Sequence, residues 1–226
     1  MKKYAVVVAG GSGLRMGGAL PKQFLPLRGK PVLWHTLKAF FDAYPELEVI
    51  LVLPMAHLEL GRSIAESFKP LVPIRIVVGG ETRFDSVKNG LASVKAEDAI
   101  VFVHDAVRCL ITRSLLYRCY EEALEKGNAV PAVEATDSMR LQTPQGTQVL
   151  VRDQVRIIQT PQTFQTALIK KAFAMGYESA FTDEATVVER LGIRINLVEG
   201  DLTNLKITRP EDLIYAERIL ESREQA

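Results

Sequence analysis

A mostly parallel β-sheet with helices on both faces is the architecture this sequence predicts, and three observations carry that prediction. Four short runs, Tyr4–Ala9 (YAVVVA), Glu48–Leu53 (EVILVL), Ile74–Val78 (IRIVV) and Ala99–Val103 (AIVFV), are nearly continuously apolar, the pattern of strands buried on both faces. The segments between them space their apolar residues as amphipathic helices do. Strand and helix alternate, which implies parallel strands joined by right-handed crossovers. In such Rossmann-like folds ligands bind beyond the carboxyl ends of the strands, so the residues after each run are where a site is expected.

The elements follow in order. Pro31 stands at a first helical position, ahead of a face made by Leu33, Leu37, Phe40 and Phe41. Helices are predicted at Ser86–Val94 and at Ser114–Lys126, the second closed by Gly127. From Asp137 to Thr160 the rhythm changes to polar-apolar alternation around a Pro-Gln-Gly turn, which reads as a projecting β-hairpin arm. A hairpin without its own core must lie against something, and a second subunit is one solution. Helical patterns return at Phe164–Met175 and Asp183–Leu191, a strand follows at Ile193–Val198, and Pro210–Glu221 forms a last helix. Residues 1–226 thus read as one domain, with 137–160 as its dimerisation arm.

Composition narrows the function classes. A chain that is 47% hydrophobic and 24% charged has the balance of an ordinary globular protein. Its net charge of +1 excludes a broadly basic nucleic-acid surface, so an anion site must be local. The lysines before the first apolar run resemble a signal peptide, but the run breaks at Gly10-Gly11, and no apolar stretch approaches the roughly 20 residues of a membrane span. Cys109 and Cys119 lack a disulfide or metal spacing, which implies reduced thiols and a cytoplasmic location.

The first strand runs into Ala9-Gly10-Gly11-Ser12-Gly13-Leu14-Arg15-Met16-Gly17. Glycines let backbone N–H groups approach phosphate oxygens. The loop is no Walker motif, because Gly-Lys-Ser/Thr does not follow at the needed spacing, and no dinucleotide fingerprint, because Met16 replaces the third glycine. Arg15 and Lys22 place two cations beside it, an arrangement suited to a triphosphate.

AGGSGLRMGGALPKQFLPLRGKPVLWHTL resembles the opening signature of the nucleotidyltransferases that activate sugar and polyol phosphates. GGETRFDSV, VHDAVR, TPQTF, TDEATVVE and NLKITRPEDL then follow in the order seen in the 2-C-methyl-D-erythritol 4-phosphate cytidylyltransferase family. The resemblance implies a fold of the nucleotide-diphospho-sugar transferase type, CTP and a small polyol phosphate as substrates, and a homodimer with a shared active site. It implies Mg²⁺ held largely by the CTP phosphates; the sequence offers no carboxylate cage, and Asp105 is only a nearby candidate.

Residue by residue, the resemblance has Ala9, Gly10, Gly11 and Gly13 wrap the nucleotide. Arg15, Lys22 and Lys206 then supply the catalytic positive charge. Gly80, Glu81 and Ser86 match the positions that meet cytosine, although Ser86 equally suits the N-cap of the next helix. Asp105 and Ala106 match contacts to ribose or polyol hydroxyls, with Arg108 beside them; His104 reads as structural. Ser138, Arg152, Thr160 and Thr182 match polyol-phosphate contacts, Arg152 from the neighbouring subunit and Thr182 as a helix cap. The chain departs from the family pattern at Cys109, where proline is usual, and at Ser138 and Arg140, where threonine and lysine are common. A ribitol-5-phosphate cytidylyltransferase and a CTP-binding module without catalysis are the alternatives.

Overall fold

The computed structural model of the chain describes residues 1–11, 20–68 and 74–225. In chain order the first half runs β1 (Lys2–Val8), a two-residue ladder β2–β3 (Pro26–Leu27, Lys30–Pro31), α1 (Val32–Ala43), β4 (Glu48–Leu53), α2 (Leu58–Glu66), β5 (Ile74–Val78), α3 (Arg83–Ala92), β6 (Ala99–Asp105) and α4 (Arg113–Lys126). The second half runs β7 (Asn128–Glu134), the hairpin β8–β9 (Arg140–Thr143, Gly146–Val149), β10 (Arg156–Ile158), β11 (Gln162–Gln165), α5 (Thr166–Phe173), α6 (Glu184–Glu189), β12 (Leu197–Glu199) and α7 (Pro210–Glu224).

Hydrogen-bonded neighbours follow the path β10-β7-β11-β6-β1-β4-β5, with β12 also on β7. β1 is parallel to β4 and β6, and β4 is parallel to β5, so Val6 lies opposite both Ile50 and Val103. β11 runs antiparallel to β6 and β7. The predicted mostly parallel sheet is therefore present.

Pleating sorts the side chains into two cores. Ala5 and Val7 of β1 join Leu33, Leu37 and Phe40 of α1 and Leu115 and Cys119 of α4. Tyr4 and Val6 join Phe84 and Val87 of α3, Phe173 of α5 and Val188 of α6 on the opposite face. A strand that serves two cores must be apolar at successive positions, which is why its sequence shows a run rather than an alternation. β5 departs from the expectation: it ends the path as an edge strand, and its residues are half-buried or exposed.

Local capping explains where the helices begin. α3 starts at Arg83 rather than Ser86, because Thr82 accepts from the Asp85 N–H while the Asp85 carboxylate accepts from the Thr82 N–H. α4 is capped by Thr112 and closed by Gly127 at φ +88°, the left-handed conformation that glycine adopts without a Cβ penalty. The segment that reads as a helix from Phe164 is β11 as far as Gln165, with α5 beginning at Thr166. Spacing of four between Phe164, Leu168 and Ala172 imitates a helix face, yet Phe164 pairs with Val101 of β6. β7 is hidden in the sequence pattern because Pro131 interrupts it; Pro131 lies between the residues that pair with β11 and those that pair with β10. α2 is likewise absent from the predicted elements, and the strand expected at Ile193–Val198 contracts to β12.

The alternating region 137–160 divides in two. β8 and β9 pair only with each other, Thr143 opposite Gly146. Residues 156–158, expected in the same arm, join β7 as β10. Leu141, Val149 and Val151 of the hairpin region are exposed.

Candidate active site

The carboxyl ends of β1, β4, β5 and β6 converge on a cavity of about 320 Å³. Ala9, Gly10 and Gly11 line it after β1, Gly80 and Glu81 after β5, and Asp105 and Ala106 at the end of β6. Ser86, Lys22 and Lys206 complete the sequence-predicted part of its wall. Gly13 and Arg15 lie outside the described residues.

Each wall has a local cause. The buried Gln23 side chain donates to the carbonyls of Ala9 (2.7 Å) and Gly11 (3.4 Å), which ties the Lys22–Phe24 turn to the loop after β1. A Cβ on Gly80 would stand 2.2 Å from the Asp85 Cβ, so the chain can pass this close to α3 only as glycine. The Ser86 hydroxyl accepts from the Gly80 N–H at 3.1 Å. Ser86 thus fastens the glycine turn against the cavity, and the capping alternative for it falls to Thr82.

Charge in the wall is concentrated on Asp105. Its Oδ1 accepts from Arg83 at 3.2 Å, its Oδ2 pairs with Lys206 Nζ at 2.9 Å, and Arg108 Nε stands 3.8 Å from Oδ2. Burial alone would raise this carboxyl, but Arg83, Lys206 and Arg108 outweigh it and hold it well below the usual carboxylate range. Arg83 also grips Glu184 through both carboxylate oxygens. Glu184 is fully buried, and burial pushes its carboxyl up against the opposing pull of Arg83.

Beneath Asp105 lies a neutral histidine. Thr160 Oγ1 accepts from the Asp105 N–H (3.1 Å) and lies 3.0 Å from His104 Nδ1, while His104 Nε2 lies 3.1 Å from the Arg108 carbonyl. The network closes with the hydroxyl donating to Nδ1 and Nε2–H donating to the carbonyl. Burial lowers His104 to about 4, in keeping with a neutral ring. The reading of His104 as structural agrees with this geometry.

Other predicted residues lie apart from the cavity wall. Arg108 donates to the Asn204 carbonyl at 2.8 Å. The turn that carries it stays closed by an Arg108 N–H to Asp105 carbonyl bond of 3.0 Å despite Cys109. Thr182 is exposed, and the N-cap of α6 is Asp183, not Thr182: the aspartate side chain accepts from the Thr186 N–H. Ser138 and Arg152 meet in a separate cavity at the base of the arm. Among the described residues, no three His, Cys, Asp or Glu side chains gather to hold a metal ion.

Arg83 and Glu184 are functional candidates that the sequence reading does not single out, although both stand inside its quoted strings. Two local signals point to them. Arg83 is the first residue of α3, where the helix dipole disfavours a cation, so something else must hold it there. Glu184 shares its short helix with buried Ala185, Val187 and Val188, and a carboxylate in such company needs a partner.

Comparison with known proteins gives a consistent result. The IspD family model, described as 2-C-methyl-D-erythritol 4-phosphate cytidylyltransferase, matches residues 4–222. The enzyme of that name from Bacteroides thetaiotaomicron is 44% identical over 220 residues, 97% of this chain and 100% of the relative. The one from Phocaeicola vulgatus is 43% identical with the same coverage. The crystal structure of 2-C-methyl-D-erythritol 4-phosphate cytidylyltransferase from Thermus thermophilus superposes with a TM-score of 0.76 at 34% identity, covering 96% of this chain and 98% of that one. With a glycine-walled, lysine-bearing cavity at the sheet edge and these matches along nearly its whole length, the chain belongs to the 2-C-methyl-D-erythritol 4-phosphate cytidylyltransferase family.

Proposed function

We propose that the chain transfers the cytidylyl group of CTP to the phosphate of 2-C-methyl-D-erythritol 4-phosphate, giving CDP-methylerythritol and pyrophosphate. The observation that carries this reading is the convergence of Lys22 and Lys206 on a glycine-walled cavity in a member of this family. A phosphate oxygen of the acceptor attacks the α-phosphorus, the bond to the β-phosphate oxygen breaks in line, and pyrophosphate leaves. Two anions must be brought together, and negative charge grows on the α-phosphoryl oxygens and the leaving group, so fixed cations are the main catalytic need.

No general base is required, because the attacking phosphate is already ionised. The groups nearby are poorly suited to be one: three cations hold Asp105 well below the usual carboxylate range, which makes it a weak proton acceptor, and both His104 nitrogens are engaged. Lys22, Lys206 and Arg15 supply the positive charge in this proposal, with Ala9, Gly10, Gly11 and Gly13 around the nucleotide. Gly80, Glu81 and Ser86 meet the base, and Asp105 and Ala106 meet hydroxyls, with Arg108 supporting them. Ser138, Arg152 and Thr182 serve the polyol phosphate, Arg152 by crossing between the subunits of a homodimer, while buried Thr160 acts on the substrate only through its bond to the Asp105 N–H. The exposed apolar residues of the arm support that assembly, since a solvated hairpin is marginal alone.

Among the described residues, the carboxylates lining the cavity are Asp105, which already has cations at both oxygens, and Glu81, and these two do not make a protein cage for Mg²⁺. The ion fits this site as cargo of the triphosphate, where it would neutralise phosphate charge. The buried free thiols of Cys109 and Cys119, both pushed up to about 12 by burial, support a reducing, cytoplasmic setting. Among the described residues no helix is long and apolar enough to cross a membrane.

Pyrophosphate release with CTP and Mg²⁺, comparing 2-C-methyl-D-erythritol 4-phosphate with ribitol 5-phosphate, tests the proposal. Turnover with the branched acceptor alone is expected. Turnover with ribitol 5-phosphate alone overturns the acceptor, and saturable CTP binding without pyrophosphate release overturns catalysis.

A further inference from the structure

We propose that Glu184 and Arg83 are positioning residues: they orient Asp105 so that its second oxygen holds the Lys206 ammonium at the cavity. The consequence for rate rests on the cytidylyltransferase reading; the geometry does not.

Four groups form a line of alternating charge that starts at buried Glu184 and continues through Arg83, Asp105 and Lys206, all three of which line the cavity. Glu184, fully buried, has both oxygens on Arg83. Arg83 Nη2 is shared between Glu184 Oε2 at 3.1 Å and Asp105 Oδ1 at 3.2 Å. Asp105 Oδ2 then pairs with Lys206 Nζ at 2.9 Å, and the Lys206 side chain remains 42% exposed, so its ammonium is presented to solvent and ligand. Arg108 Nε, 3.8 Å from Oδ2, is the remaining cation facing Asp105 among the described residues.

Stability is a weak reason for this arrangement. A buried ion pair seldom outperforms well-packed apolar residues, because desolvation offsets most of the attraction. Arg83 also occupies the first position of α3 against the helix dipole. What the arrangement does supply is orientation. A guanidinium is a planar fork that would naturally close on both oxygens of one carboxylate. With Glu184 taking the fork, Arg83 reaches Asp105 through a single nitrogen and leaves Oδ2 for Lys206. Glu184 is itself fixed, because Gln162 accepts from the Ala185 N–H at 2.7 Å and donates to Asp183 at 2.8 Å, pinning the start of α6 to β11. Without the Glu184 charge, Arg83 turns to Asp105 and displaces Lys206.

The test uses the full chain with lysine labelled by ¹³C at Cε, the Lys206 signal being assigned by its loss in Lys206→Arg. Glu184→Gln, nearly isosteric, is expected to shift the Lys206 signal while other lysines stay in place. It is expected to lower kcat about tenfold with KM for CTP within about twofold, since help given in the transition state is read in kcat. Arg83→Lys keeps the charge but loses the fork, and is expected to give the same two effects; it carries the test if Glu184→Gln does not fold. An unmoved Lys206 signal in a folded variant overturns the proposal whatever the activity, and so does unchanged kcat. The signal needs no substrate. Wild-type protein inactive with CTP and either acceptor therefore sinks the functional reading, while a moved signal still upholds the orientation of Lys206.

Discussion

The cavity at the sheet edge and the β8–β9 arm are made by the same chain in opposite ways. Around the cavity the ends of β1, β4 and β6 are backed by two cores, and Asp105, His104 and Thr160 are buried and bonded to one another. The arm has a ladder of its own and side chains such as Val149 that are 63% exposed. On the proposed function, the difference separates the two halves of the substrate pair. Electrostatic stabilisation of a triphosphate needs groups that do not reorganise, and the buried, mutually bonded groups at the cavity have that character. The arm carries Arg152 on a surface that one subunit leaves open.

Four measurements break or sharpen this contrast. Lys22→Ala is expected to lower kcat/KM by on the order of a hundredfold or more, about 2.7 kcal/mol in the barrier, in a pyrophosphate-release assay. A loss under tenfold would remove Lys22 from the catalytic set. The second concerns His104. Its folded pKa of about 4 lies below the unfolded 6.5, so the unfolded chain binds the extra proton as pH falls. The stability it contributes is present above pH 6.5 and is lost on descent towards pH 4. Between pH 7 and 5 this amounts to about 2 kcal/mol, to be read from urea unfolding. His104→Gln should be less stable at pH 7 but flatter over that interval.

Arg152→Ala is expected to raise KM for the polyol phosphate about tenfold while leaving thermal unfolding unchanged, because its side chain is 55% exposed. Mixing it with Lys22→Ala discriminates further. If arms cross, each mixed dimer in a one-to-one mixture regains one intact site, and kcat/KM for the polyol phosphate returns to about a quarter of wild type. If they do not, the mixture stays at the level of its components. The smallest effect is expected for Val149→Ser, under about 0.5 kcal/mol in the unfolding of a subunit, with weaker self-association by sedimentation. A large loss of subunit stability would show that the arm packs on its own subunit.

Much of the cavity is legible in the sequence because its parts are local. A glycine pair after an apolar run, a lysine in a Pro-Lys-Gln-Phe string and an aspartate at the end of the fourth run are each visible in a window of a few residues. The errors share a cause as well. Phe164 sits at helix-like spacing from Leu168 and Ala172, yet its strand conformation is imposed by pairing with Val101 of β6, far earlier in the chain. The helix expected from Ser86 begins at Arg83 instead, because Thr82 and Asp85 close their own capping box ahead of it. Thr182 loses its capping role to Asp183 for the same kind of reason, one side chain outcompeting its neighbour for an N–H.

Pattern and local chemistry were enough for the fold class, the edge of the sheet that carries the site, and the glycine loop with Lys22 beside it, while the family resemblance supplied most other residues of the wall. Partnership across the chain was decided only by folding. Arg83 meets Glu184 at a sequence separation of 101 residues, and Lys206 meets Asp105 at one just as large. No window of sequence contains both members of such a pair. Which carboxylate a guanidinium grips depends on where two helices and a strand end come to rest, and that is set by the packing of the two cores rather than by any single segment.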